Sequence, residues 1–175
     1  METKNKKHFR KYEDQIQQFV KLVFEKSEDY FLILNIVKNI GVNSIFPCTI
    51  LWYSEDETEL HQTEYDEMSF LFIALFYENE NIIQLLLENG ADPNIRDAFG
   101  APAIWDLQFE YDNPEYGLHT TRLLLEHGAD PNIEWEGENF YYYVDTLPAD
   151  IISSREEFNY LTDLCSLLEE FGGKY

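Results

Sequence analysis

The chain has 175 residues, 45% of them hydrophobic, with 34 acidic against 12 basic side chains and a net charge of −22. That is apolar content enough for a packed core, which sets it apart from disordered chains. So negative a field works against nucleic acid and anionic membranes as partners and favours basic ones, although charge of this kind also serves solubility alone. The imbalance is uneven: residues 1–40 hold 8 basic and 6 acidic residues, and the rest hold 4 and 28. Two cysteines, Cys48 and Cys165, make no disulfide framework and enter no metal-ligand spacing. No apolar h-region follows Lys4, Lys6 and Lys7, and no apolar run is long enough to span a bilayer. The expectation is a soluble, cytoplasmic chain with no membrane segment and no cofactor.

Along the chain, Phe9, Tyr12, Ile16, Phe19, Val20, Val23 and Phe24 recur three and four apart and predict a helix over 9–26. Ser27 is read as the N-cap of a second helix running to Ile40, where Gly41 stops it. The basic run Lys4 to Lys11 is read as a solvated helix start. Cys48 to Tyr53 is β-branched and aromatic. With the acids that follow, it is read as an extended β-turn finger or short hairpin with an acidic tip. Residues 69–77 and 80–89 form a helix pair, with Asn79 capping the second. A further inner helix is expected over 101–110. Asn113-Pro114-Glu115 opens an outer helix over about 114–127, with Pro at the first helical position. Ser154 and Glu157 form a capping box for the last helix, which ends at Gly172-Gly173.

Two stretches are almost the same: Leu85-Leu86-Leu87-Glu88-Asn89-Gly90-Ala91-Asp92-Pro93-Asn94-Ile95 and Leu123-Leu124-Leu125-Glu126-His127-Gly128-Ala129-Asp130-Pro131-Asn132-Ile133. Each reads as a helix end, a glycine stop and a turn, so the chain is an internal repeat. Here it resembles the ankyrin-repeat family, whose outer helix ends in Leu-Leu-x-x-Gly-Ala-Asp-x-Asn and whose repeat is about 33 residues. Ser69-Phe70-Leu71-Phe72-Ile73-Ala74 stands where the family has Thr-Pro-Leu-His-x-Ala, so the inner-helix motif is degenerate. The resemblance implies an all-α solenoid of about four helix pairs with β-turn or hairpin fingers, one domain over 1–175. Its parts are a divergent helix pair over 1–43, an acidic finger over 44–67, the best-matching repeats over 68–134 and a capping repeat over 135–175.

No phosphate loop, nucleophile elbow or zinc motif is present, so no enzyme is read here. His8, His61, His119 and His127 share no ligand spacing. By resemblance the function is non-catalytic protein binding; the net charge makes the expected partner a basic protein, with no direct nucleic-acid contact, and a monomeric chain is expected. Small acidic ankyrin-like proteins look similar to bacterial immunity proteins, which neutralise a toxin by binding it. The alternative is a nucleic-acid mimic that blocks a DNA- or RNA-binding protein; an enzyme on a degenerate ankyrin frame is the third reading. In an ankyrin-like solenoid the fingers and inner helices line one concave face. The partner surface is then Glu55, Asp56, Glu57, Glu59, Asp66 and Glu67 on the first finger. Arg96, Asp97 and Phe99 follow on the second, beside Trp105, and Glu134, Trp135 and Glu136 on the third, leading to Tyr141 and Tyr142. Acids would steer and aromatics would anchor.

Overall fold

The computed structural model describes residues 9–54, 58–147, 152 and 154–174, without the side chains of 108, 109 and 111. Packing divides the chain into two compact units, Met1–Ala91 and Asp92–Tyr175.

In the first unit, a single 3-10 turn (Arg10–Tyr12) leads into α1 (Glu13–Phe24). Ile16, Phe19, Val20 and Val23 share one face of α1 and are buried, and it is burial of such a face that holds a three-turn helix. α2 (Tyr30–Ile40) is capped by Asp29, whose carboxylate accepts the Leu32 N–H at 3.0 Å. Ser27 instead accepts the Asp29 N–H at 3.2 Å, so the helix starts later than the Ser27 reading placed it. A second pair follows, α3 (Phe70–Phe76) and α4 (Glu80–Glu88). Ser69 caps α3 through the Phe72 N–H at 3.1 Å, and Asn79 caps α4 through the Ile82 N–H at 3.3 Å. The Asn79 amide also donates to the Val23 carbonyl at 3.3 Å and so ties the two pairs together.

Between the pairs stands a hairpin, β1 (Ile45–Tyr53) with β2 (Leu60–Ser69), antiparallel. Alternate residues Phe46, Cys48 and Ile50 are buried, the period of two that a half-buried strand requires. Phe46 lies edge-on to Phe70 at 4.7 Å, and Phe70 to Phe19 at 4.6 Å, so strand and helices share one core. Pro47 has no N–H to give, and there the ladder slips: Phe46 faces Met68 and Cys48 faces Tyr65, leaving Asp66 and Glu67 as a bulge.

The second unit contains α5 (Ala103–Asp106), continued by 3-10 turns over Leu107–Asp112, and α6 (Pro114–Glu126). The expected inner helix over 101–110 is thus only four residues of α-helix. Pro114 takes the first helical position, but the Asn113 side chain does not cap it. A small hairpin, β3 (Glu134–Trp135) with β4 (Glu138–Asn139), leads into α7 (Phe140–Thr146) and then α8 (Arg155–Glu170). Ser154 caps α8 through the Glu157 N–H at 3.0 Å. A Cβ at Gly117 would run into the Tyr160 side chain, so α6 and α8 meet at a glycine. Tyr160 donates its hydroxyl to the Leu107 carbonyl beside it. Phe158, at apolar spacing on α8, is exposed instead of buried.

The all-α expectation is overturned. Among the described residues helix accounts for 55% and strand for 16%, and the strands form two antiparallel two-stranded sheets, so the fold mixes helix and sheet. The residues between Gly41 and Gly90 in excess of one repeat went into long paired strands. An extended segment with one buried face can satisfy its backbone only by pairing.

The repeated turn works in the same way each time. Gly90 and Gly128 have φ of 88° and 96°, and the following Ala91 and Ala129 N–H groups return to Leu86 and Leu124 at 3.0 and 2.9 Å. With the Gly90 and Gly128 N–H groups bonded to the Leu87 and Leu125 carbonyls at 3.1 and 3.0 Å, this is the double hydrogen bond of a Schellman close, which a side chain at the glycine would strain. Gly172, with φ of 94°, ends α8 likewise, although the Ala-Asp-Pro-Asn that marks the other two is missing there.

The asparagines of the turns add a rung. In the first unit Asn43 donates to the Gly90 carbonyl at 3.1 Å. In the second, Asn94 donates to the Gly128 carbonyl at 3.0 Å and accepts the Asp130 N–H at 2.8 Å. Asn132 does the same with the Gly172 carbonyl and Lys174 N–H, at 3.1 and 2.8 Å. Asn94→Ala removes two such bonds and should lower the unfolding free energy by about 1–2 kcal/mol. A urea melt would read that loss, and an unchanged midpoint would make the rung decorative.

Candidate functional site

Finger two, in the second unit, runs from Asp92 to Pro102. The Asp92 carboxylate accepts the Asn94 N–H at 2.9 Å, an Asx turn that Asp-Pro-Asn favours. At the tip, the Asp97 carboxylate accepts the N–H groups of Phe99 and Ala101, both at 2.8 Å. Gly100, with φ of 82°, closes the turn. Phe99 is thereby held on a rigid loop with 87% of its surface exposed. Finger three is the β3–β4 hairpin, turned by Glu136 and Gly137 with φ of 52° and 90°, the paired positive angles of a two-residue hairpin loop. Arg96 joins the fingers. Its guanidinium donates to the Gly100 carbonyl at 2.7 Å and to the Glu134 carbonyl at 2.9 Å.

Beneath them lies an aromatic cluster. Trp105 is 4% exposed, and its indole N–H donates to the Ile133 carbonyl at 3.3 Å. Its ring meets Trp135, Phe140 and Tyr143 at 5.3, 5.3 and 5.1 Å. Trp105 is therefore a packing residue of this unit, and a partner cannot reach it without displacing its neighbours. Trp135 is half-buried over it. Tyr141 is buried and gives its hydroxyl to Glu169 at 2.9 Å, a hydrogen bond that raises its pKa to about 12. Tyr142 is 44% exposed, its N–H bonded to the Asn139 side chain. Glu134 and Glu136 are exposed.

Asp106 was not singled out from sequence. Desolvation of its carboxyl, helped by the Asp97 carboxylate, raises its pKa from 3.8 to about 6, although the residue as a whole keeps an exposed edge. An acid whose folded pKa is raised costs stability above that pKa and recovers it as pH falls toward the unfolded value. Asp106→Asn should therefore raise the melting temperature at pH 7 and raise it much less near pH 4, where the folded carboxyl is already protonated and the unfolded one is about half so. An equal gain at both pH values would assign the effect to packing.

In the first unit, Glu55, Asp56 and Glu57 lie outside the described residues. Glu59, Asp66 and Glu67 are exposed on the hairpin, and Glu59 stands 3.9 Å from His61. The sequence reading missed the hairpin's aromatic end. Trp52, Tyr53, Leu60 and Phe76 are 41 to 52% exposed. Trp52, Tyr53 and Phe76 border an open cleft of about 350 Å³ with Phe24 and Tyr77. Trp52 stacks on His61 at 4.5 Å and donates to the Thr63 hydroxyl at 3.0 Å. The signal was available: Trp52 continues the period of two beyond the last helix-covered position, Ile50.

Among the described residues, no group of three or more His, Cys, Asp or Glu is placed to hold a metal. No helix among them is long and apolar enough to cross a membrane.

These features define a class: helix pairs closed by Schellman glycines, tied by asparagine rungs and carrying projecting fingers. The family model for the ankyrin repeat matches residues 66–98, the end of β2 through α3, α4 and the Asp-Pro-Asn turn. The chain therefore carries an ankyrin repeat, and its class of function is protein–protein interaction. No curated protein matches the chain.

Proposed function

We propose that the chain binds a basic protein and that fingers two and three of the second unit form a contact surface for it. The observation that carries this is Phe99, a large apolar side chain at 87% exposure on a loop locked by Asp97 and Arg96. Rigid exposed aromatics serve as anchors, because little entropy is lost when a partner covers them. Trp135 and Tyr142 offer further aromatic surface on the same unit, and Glu134 and Glu136 supply rim charge. The Asp97–Asp106 pair supports a cationic partner: a lysine or arginine brought against it would offset the desolvation, and with it the Asp97 repulsion, that raise the Asp106 pKa.

Phe99→Ala should weaken binding of a recovered partner by at least about 2 kcal/mol, without changing the melting temperature. Glu134→Lys with Glu136→Lys should instead slow association, and raised salt should do the same, since exposed charges are screened beyond about 8 Å at physiological ionic strength. Unchanged affinity in Phe99→Ala would remove the finger from the interface. The immunity reading is the form of this proposal in which the basic partner is a toxin whose working surface is covered. Co-expression should then rescue growth with the wild-type chain and fail with Phe99→Ala.

A further inference from the structure

The hairpin of the first unit has two edges, and only that of β1 is capped in mid-strand. There Thr49 and Leu51 turn their backbone groups outward, as Tyr53 does at the strand end. With its amide oriented to match donor with acceptor, the Gln17 carboxamide takes both at Thr49, its nitrogen toward the carbonyl at 3.1 Å and its oxygen toward the N–H at 2.8 Å. The Tyr77 hydroxyl lies 2.8 Å from both the N–H and the carbonyl of Leu51. In an antiparallel pair, directly opposed residues turn their backbone groups either both inward or both outward. Thr49 opposes Glu64 and Leu51 opposes Gln62. The N–H and C=O of Gln62 and Glu64 therefore face away from β1, and no described group bonds to them.

An open edge of this kind is a template for another strand. The side chains limit which strand it accepts. Glu59, Glu64, Asp66 and Glu67 are exposed along or beside β2, and no lysine or arginine occurs between Lys38 and Arg96. A second copy of the chain would set acid against acid, which disfavours pairing. An oppositely charged strand would be drawn in. Leu60 and Tyr65, 51% and 37% exposed, give it apolar surface on the two faces.

We propose that the outer edge of β2 receives an extended segment of a basic protein as a third strand. Its backbone pairs with Gln62 and Glu64, and its lysine or arginine side chains lie against Glu64 and Glu59. This rests on the basic-partner reading above, but not on the fingers of the second unit.

The probe is a ten-residue peptide alternating lysine and valine, with an N-methylated copy that cannot form the ladder. On binding, the Gln62 and Glu64 amides should exchange at least about 10-fold more slowly, as expected for newly made backbone hydrogen bonds. The Thr63 amide should not change. Gln62→Pro removes one outward N–H and none of the β1–β2 ladder, a place where an edge strand tolerates proline. It should weaken the peptide about 10-fold while Gln62→Ala retains it. If Gln62→Pro disturbs the hairpin, the N-methylated peptide decides. Equal binding of the two peptides, binding without protection at Gln62 and Glu64, or no binding overturns the edge assignment. A captured basic partner that loses affinity with Phe99→Ala but not with Gln62→Pro would overturn it too, while leaving the basic-partner reading intact.

Discussion

Trp105→Ala should destabilise the second unit by about 3–5 kcal/mol, the range for removing a buried aromatic and leaving its cavity. The indole is 4% exposed and touches Trp135, Phe140 and Tyr143. Its N–H also satisfies the Ile133 carbonyl, which would be left without that donor. The substitution separates support from contact. If Trp105 holds the fingers in place, the melt shifts strongly, whereas Phe99→Ala leaves it alone. A denaturant midpoint unchanged by Trp105→Ala would mean that the aromatic cluster carries little of the fold.

Leu86→Ala and Leu124→Ala should each cost about 2–5 kcal/mol, from lost burial plus the cavity left behind. Both side chains are 0% exposed and both carbonyls receive the N–H that follows the closing glycine. The two sites lie in different units, so the pair also tests whether equivalent repeat positions are energetically equivalent. A loss under about 1 kcal/mol at both, where buried leucines ordinarily lose far more, would contradict the repeat register.

How far the sequence foretold this structure depended on range. Most signals confined to a few residues were readable: the Asn79 and Ser154 caps act within three residues, and Gly90 and Gly128 close their own helices, although Ser27 and Asn113 do not cap the helices read from them. Signals that need a distant partner were not. The β1–β2 hairpin shares its core with Phe19 of α1, and its edge caps Gln17 and Tyr77 lie far along the chain from the Thr49 and Leu51 groups they cover. Trp105 reads as a candidate anchor beside a turn, but Ile133 and Phe140, about thirty residues further on, bury it. Phe99 was singled out as a finger residue, and the structure gives it exposure and a locked loop. The Asp97–Asp106 pair went unremarked, because proximity is a property of the fold; Trp52 and Tyr53 were read only as strand residues, although the period of two already carried Trp52 past the covered positions.

The central claim is that this chain captures a basic protein, anchored by Phe99. The most direct test immobilises the wild-type and Phe99→Ala chains side by side, passes a cell extract over both at low salt, and identifies what each retains. The account predicts a protein of high isoelectric point on the wild-type surface, released by raised salt and depleted from the Phe99→Ala surface. Retention of an acidic protein, or equal retention of the same protein by both surfaces, would contradict it.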